Sequence, residues 1–329
     1  MKTCLSLAAA LLLTLAVAAA PTPPAPAAPK TPKVPKVERV AAPAATLGAA
    51  VDGQRPVSGR RTMAPDGEVR VENVSGSIKV VAWDRSEVEV KGTVGEDVER
   101  LEFGGSDDYT TIKVVLPRRH GSFDDASADL TISVPRMARL EIETVSADIG
   151  VNDSAGTVRV NSVSGEVVLR TRSRDITASS VSGEVDVVGS GAQARIEASS
   201  VSGDVRIEGV DAELELESVS GDAKLQRSKV SRLSMQSTSG DVTYSGSLQT
   251  GGNYEFQTVS GDVMVTVEGA RDATYEVSSF SGDIDNSFGP KPRRTDKYAP
   301  GIELRFTEGK GSARVRINTL SGEARLDGR

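Results

Sequence analysis

A twelve-residue phrase recurs ten times along this 329-residue chain: apolar, any, apolar, any, Ser/Thr/Asn, apolar, Ser, Gly, Asp/Glu, apolar, any, apolar. Its first apolar positions are Val69, Leu140, Val158, Ile176, Ile196, Leu214, Leu233, Tyr254, Tyr275 and Val315. From Leu140 to Tyr275 the steps are 18, 18, 20, 18, 19, 21 and 21 residues. A fixed period of that size is the mark of one supersecondary unit stacked on the next.

Within each phrase the apolar residues alternate with period two, which specifies strand rather than helix. The frame slips by one residue on the way through the phrase. In the copy at Val158, the residues Val158, Val160 and Ser162 share one parity, whereas Val163, Gly165, Val167 and Leu169 share the other. A slip of one exchanges inside for outside unless the backbone bends. A bend at the Ser/Thr/Asn position would keep both sets on one core. On that reading Val163, Val181, Val201, Val219, Thr238, Val259, Phe280 and Leu320 stack inside, beside a hydroxyl ladder of Ser162, Ser180, Ser200, Ser218, Ser237, Thr258, Ser279 and Thr319. The glycine column (Gly76, Gly165, Gly183, Gly203, Gly221, Gly240, Gly261, Gly282, Gly322) is expected where a Cβ cannot fit, with Ala147 its one departure. Two architectures satisfy strands with a regular corner: a parallel β-solenoid, one coil per repeat, or an antiparallel meander with Ser-Gly hairpins. Equal spacing favours the solenoid, because each repeat then meets an identical neighbour. The expected fold is therefore an all-β, single-stranded parallel β-solenoid of about ten coils.

The ends of the chain differ from its body. Residues 1–20 read as a secretory signal, with Lys2, a nearly unbroken apolar run from Cys4 to Val17, and Ala16-Val17-Ala18 as the cleavage site. The run falls short of the roughly 20 residues that a spanning helix needs. Cleavage would remove the only cysteine, and with it disulfides, thiol catalysis and cysteine metal sites. Residues 21–45 hold eight of the fifteen prolines. They cannot pack and are expected to run near polyproline II, with 46–65 continuing the tether. This tether carries seven Lys/Arg against two acids, so the formal −7 of the whole chain leaves about −13 for residues 66–329 once Lys2 is counted. A basic stalk thus precedes an acidic domain, which argues against a nucleic-acid partner.

Residues 66–139 are less regular and are read as first coils that cap the stack. Residues 140–329 carry the regular repeat, interrupted by an excursion loop at 286–301 before the last coils. Val-Glu-Asn-Val-Ser-Gly-Ser-Ile-Lys-Val-Val-Ala-Trp-Asp at 71–84, the strand ending in Val134-Pro135, and the serial Ser-Val-Ser-Gly-[Asp/Glu]-Val carry a resemblance. Over about 66–329 the chain is similar to the toast-rack-like β-solenoid domain of exported bacterial proteins, a domain named after adhesins and of unknown function. The resemblance implies a periplasmic or extracellular, envelope-associated module and supplies no catalytic residues.

Chemistry has few places to sit. The acidic column (Asp148, Glu166, Glu184, Asp204, Asp222, Asp241, Asp262, Asp283, Glu323) would place like charges one above another. Neighbours at roughly 4.8 Å repel by about 1 kcal/mol in water. Either a hard cation such as Ca²⁺ offsets this, with Asp204, Asp222, Asp241, Asp262 and Asp283 as its ligands, or each carboxylate accepts a backbone N–H at the turn. No other cofactor is suggested. His120 is the only histidine, which leaves no partner for a nucleophilic triad or a zinc site. The basic cluster Lys291, Arg293, Arg294, Lys297 with Tyr298 reads as a solvated loop or an anionic-glycan contact. Trp83, Tyr244, Tyr254, Phe256, Tyr275 and Phe280 fall mostly in apolar columns and are expected in the core. The sequence therefore points to a non-enzymatic envelope binding module. Its expected partner is a polysaccharide, engaged by a flat sheet face, or an envelope protein. Two other classes stand beside it: an envelope-stress or assembly component that contacts membrane proteins, and a carbohydrate-active β-helix enzyme, which would need a cleft beside 118–128 or 286–301.

Overall fold

The computed structural model describes residues 46–47, 54–117, 125–189, 193–295 and 300–329. The expected signal and stalk at 1–45, His120, Asp124, Lys297 and Tyr298 lie outside these residues.

Among the described residues every regular element is a β-strand. The first half of each repeat makes one strand, the Ser-Gly turn follows, and the second half makes another. Val158–Ser162 pairs in parallel with the 140–144 part of Arg139–Asn152 and with Asp175–Ser180; that strand pairs onward with Gln193–Ser200, which pairs in turn with Asp211–Ser218. Val167–Thr171, Val185–Gly189 and Val205–Glu208 form the matching second ladder. Registers are in phase over these rungs: Val158, Ile176, Ile196 and Leu214 stand in one column, and Val167, Val185 and Val205 in another. The parallel arrangement, not the meander, is what these repeats adopt. Both columns are fully buried and form one continuous core with their neighbours, so each rung removes the apolar face of the next from water.

Three sequence expectations need correction. The first concerns the bend. Val163, Val181, Val201, Val219, Val259, Phe280 and Leu320 are 44–55% exposed, and Thr238 is exposed as well. The parity slip is not at the Ser/Val junction but inside the Val-Ser-Gly-acid turn. The serine column keeps the parity of the preceding strand and goes inside, so the next residue must go out.

The second concerns order at the C-terminal end. The last repeat in the sequence is not the last rung in space. Ala313–Ser321 lies between the 253–260 part of Val242–Ser260 and Ala273–Ser279, parallel to both. Ala324–Gly328 is likewise inserted between Val263–Val267 and Ile284–Asn286. Between laying down 273–286 and filling the gap, the chain passes Arg293–Arg294 and returns as Ile302–Glu308, antiparallel on the far side of Ala273–Ser279. The turn from that strand into the inserted one is held by Asp272. Its carboxylate accepts the N–H groups of Lys310 (2.6 Å) and Ser312 (3.3 Å), and these backbone donors hold its acid below the usual range.

The third concerns the tether. Arg55–Thr62 is a strand, antiparallel to Glu87–Val94, which pairs antiparallel with Ser127–Pro135. That strand in turn runs parallel to the second half of Glu68–Trp83, which stacks directly on Arg139–Asn152. Arg100–Ser106 and Tyr109–Val115 make the corresponding antiparallel cover over the first half. Antiparallel strands thus flank both ladders at the N-terminal end and the first-half ladder at the C-terminal end, so the regular parallel rungs are not the outermost strands there.

The aromatic residues gather toward the C-terminal rungs. Tyr244, Tyr254, Phe256 and Tyr275 are fully buried, and Tyr244 packs on Tyr254 and Phe256 with centroids 5.8 and 5.7 Å apart. Burial pushes the phenols of Tyr244 and Tyr275 well above the usual range. Trp83 is half-buried, with its indole N–H on the Glu87 carbonyl at 2.8 Å. Phe280 is the exception, because it occupies the outward position of the turn.

Candidate binding faces

The turn that carries the repeat signature is built from three columns with separate tasks. The hydroxyl column is buried in every rung. Ser180, Ser200, Ser218 and Ser237 each accept the N–H of the glycine three residues on (Gly183, Gly203, Gly221 and Gly240) at 2.8–3.0 Å. This satisfies a donor that the bend turns away from the ladder. In the early rungs, Thr144 Oγ1 donates to Ser162 Oγ at 3.0 Å. Thr258 and Thr319 bury hydroxyls that have no such partner among the described residues.

The glycine column is a close-approach column. A Cβ built on Gly183, Gly203, Gly221, Gly240 or Gly261 would stand well inside 3.0 Å of the carbonyl oxygen of the preceding rung's glycine. The sequence Gly261, Gly322, Gly282 continues this in spatial rather than chain order, which again marks the inserted repeat. Gly165 additionally adopts φ +107°.

The acidic column has a structural task that sequence reasoning left open. Asp148 Oδ1 accepts the N–H of Glu166, that of Asp204 the N–H of Asp222, that of Asp222 the N–H of Asp241, that of Asp241 the N–H of Asp262, and that of Asp262 the N–H of Glu323, all at 2.8–2.9 Å. Each carboxylate therefore ties its rung to the next, across the gap that the glycine leaves. Charge-assisted acceptance by an anion is stronger than a neutral hydrogen bond, and exposure to salt softens the repulsion along the column. Arg206 and Arg325 offset two members by pairing with Glu184 and Glu323, each at 2.8 Å. Among the described residues no group of three or more His, Cys, Asp or Glu is placed to hold a metal ion. We expect the melting temperature to be indifferent to millimolar Ca²⁺ or a chelator; a Ca²⁺-dependent rise of several degrees would refute this. We also expect Asp222→Ala to cost about 1 kcal/mol by the lost hydrogen bond, read from chemical denaturation. Asp222→Asn, which keeps the acceptor oxygen, should recover most of that loss.

The outer surface of the first-strand sheet is polar. Two residues before each outward turn position, one column reads Asn161, Ser179, Ser199, Glu217, Gln236, Gln257, Asn318 and Ser278 in spatial order. Two shallow hollows lie on this sheet. One is lined by Arg195, Glu197, Glu213, Glu215, Arg232 and Ser234. The other is lined by Glu276, Ser278, Glu303, Arg305, Arg316 and Asn318. Their centres are four rungs apart, roughly 19 Å at the usual strand spacing. Arg195 is held to Glu197 at 2.7 Å, and that hydrogen bond raises the guanidinium's pKa further. Arg316 reaches Glu276 across the rung at 3.1 Å. The charges of each hollow are thus paired with one another along or across the rungs. The basic trio Lys291, Arg293 and Arg294 is exposed, and Arg293 stands opposite Glu303 at the rim of the second hollow. Asp107 and Asp108 sit in a turn whose carbonyls accept backbone N–H groups from Ala64 and Glu68. Asp125 is occupied by Ser127. Among the described residues no helix is long and apolar enough to cross a membrane.

A parallel stack flanked by antiparallel strands, with a hydroxyl-glycine-acid turn in register, defines a β-solenoid of the toast-rack type. The chain belongs to the Toastrack DUF4097 family, whose model matches residues 57–213 and again 194–327. This confirms the resemblance carried by the Ser-Gly-acid repeats. Comparison with curated proteins finds no match. Two solved structures are similar over 83% of this chain. One is of a "putative cell adhesion protein" from Clostridium sporogenes, 7% identical and matched over 100% of its length, with a TM-score of 0.24. The other is of a "putative lipid binding protein" from Parabacteroides distasonis, 12% identical and matched over 96% of its length, with a TM-score of 0.47.

Proposed function

We propose that this protein is a non-catalytic, exported binding module of a bacterial cell envelope that holds a polysaccharide along its polar sheet face. The observation that carries this reading is the pair of polar hollows on one face, linked by a column of hydroxyl and carboxamide side chains. Sugar hydroxyls both donate and accept, and Ser, Asn and Gln side chains do the same. A repeating polymer suits a repeating face, because each rung adds a weak contact without a new design. Export rests on the character of residues 1–20 and of the Pro-rich stretch after them.

A glycan and cell-wall binding screen of the exported chain, with and without Ca²⁺, tests this reading. Binding is expected in both conditions. The pair Arg232→Ala and Arg316→Ala should weaken it by about tenfold, equivalent to 1.4 kcal/mol. Absence of binding in either condition would overturn the proposal.

A further inference from the structure

Around the corner from the polar face runs a second track of different character. In spatial order its outward turn residues are Val145, Val163, Val181, Val201, Val219, Thr238, Val259, Leu320 and Phe280, all exposed. An exposed row of this length, apolar at every position but Thr238, is unusual on a protein surface. The row is rigid, because backbone bonds join it rung to rung: Ser182 to Val163, Ser202 to Val181, Ser220 to Val201 and Ser239 to Val219, at 2.8–2.9 Å. Three residues beyond each member stands the acidic column. Asp204, Asp222, Asp241 and Asp262 follow one another there, exposed, and use Oδ1 for the next rung's N–H. An apolar row beside an anionic row, both at the strand spacing, asks for a partner with one apolar edge and one cationic edge of commensurate period.

Polyproline II has three residues per turn and rises about 3.1 Å per residue, so each of its edges repeats every ~9.3 Å. Two solenoid rungs span about 9.6 Å. Over three repeats the mismatch is about 1 Å, within the slack of a lysine side chain. The chain's own residues 29–40, Pro-Lys-Thr-Pro-Lys-Val-Pro-Lys-Val-Glu-Arg-Val, sort into such edges. One edge holds Lys30, Lys33, Lys36 and Arg39, the next Val34, Val37 and Val40, and the third Pro29, Pro32 and Pro35. We infer that the valine row and the acidic row together form a docking track for a basic polyproline-II segment, and that the occupant is the 29–40 stretch presented by a second copy of the chain. Valines of the segment meet alternate valines of the row, and its lysines meet alternate aspartates. This surface and its ligand are separate from the polysaccharide face.

The test uses the full chain carrying Lys30→Ser, Lys33→Ser, Lys36→Ser and Arg39→Ser, so that added peptide is the sole source of the motif. A fluorescent peptide of residues 28–41 is titrated and read by anisotropy. Saturable, salt-sensitive binding is expected. Adding Asp204→Asn, Asp222→Asn and Asp241→Asn, which keep the inter-rung acceptor, should weaken it at least about tenfold. So should adding Val181→Asn, Val201→Asn and Val219→Asn instead, and far-UV circular dichroism confirms that both variants fold. A peptide of identical composition with its lysines contiguous should bind at least tenfold more weakly. Equal binding of the two peptides, no loss on changing the valines, or no binding at all would overturn the inference. Self-association that is unchanged by the four Lys/Arg→Ser substitutions and abolished by the valine changes would also overturn it, by showing that the row pairs with another valine row.

Discussion

Gly221→Val should lower the melting temperature by on the order of 10 °C, whereas Gly150→Ala should leave it almost unchanged. At Gly221 a Cβ would overlap the backbone carbonyl of Gly203, and Gly240 approaches the carbonyl of Gly221 in the same way from the next rung. Backbone cannot step aside as a side chain can. Relief would require the two rungs to part, and that would break the Asp204-to-Asp222 and Asp222-to-Asp241 bonds together. A cost of about 3–5 kcal/mol places the change in the class of severe single substitutions, and a domain of this size shifts by roughly 2–4 °C per kcal/mol. Gly150 has nothing within 4 Å of a built Cβ, so it controls for the general loss of a glycine from a strand. Calorimetry of both variants checks the result. A Gly221→Val protein that melts with the wild type would show that the column is not sterically forced. Gly221→Ala should also destabilise, since the first added carbon already meets the carbonyl.

Deleting residues 313–329 should remove hydrogen-exchange protection from 273–279 by at least about a hundredfold, while 140–218 keep theirs. The inserted strand pairs residue for residue with Ala273–Ser279 on one side and with the 253–258 part of Val242–Ser260 on the other. Its loss takes Val315 and Ile317, both fully buried, out of the core, at roughly 2–5 kcal/mol each by analogy with large-to-small core changes. The strand Ile302–Glu308 would remain on the far side, with Phe306 stacked on Tyr275 at 4.8 Å. A two-stranded remnant of that kind is marginal in water. The central rungs touch only their neighbours, so the damage should stay local. Exchange measured by mass spectrometry checks this. Undiminished protection at 273–279 would refute the claim that the final repeat holds the two flanking rungs together.

Much of this molecule was legible in twelve residues. Alternation of Val158 and Val160 gave strand, the 18–21-residue step gave stacking, and the glycine column gave a close approach without any knowledge of what was approached. The position after the hydroxyl was misread because valine is apolar, and apolarity alone does not say which side of a turn a residue occupies. Burial of Ser180 rather than Val181 is decided by where the backbone changes direction, and there the Gly183 N–H finds its acceptor inside the corner. The acid's partner was hidden for a related reason. The sequence offered a cation or an N–H of its own turn, whereas the acceptor oxygen is used by an N–H of the adjacent rung, 18 to 61 residues further along the chain. The two hollows on the polar face were invisible, since Arg232 and Glu213, or Arg316 and Glu276, become neighbours only through register.

The sequence alone determined the unit: a strand, a hydroxyl-glycine-acid corner and a second strand, repeated in phase. Local alternation and local turn chemistry are enough for that. The tertiary structure alone decided the order of the units. The repeat at Val315 is equivalent in sequence to the one at Tyr275, and either could stack on Tyr254. Only the reversal through Ile302–Glu308, with Asp272 fixing the turn that follows, places the final repeat between two already laid down. A periodic sequence specifies what each rung must look like but not which rung is next, because identical interfaces are close to equal in energy until the connections choose among them.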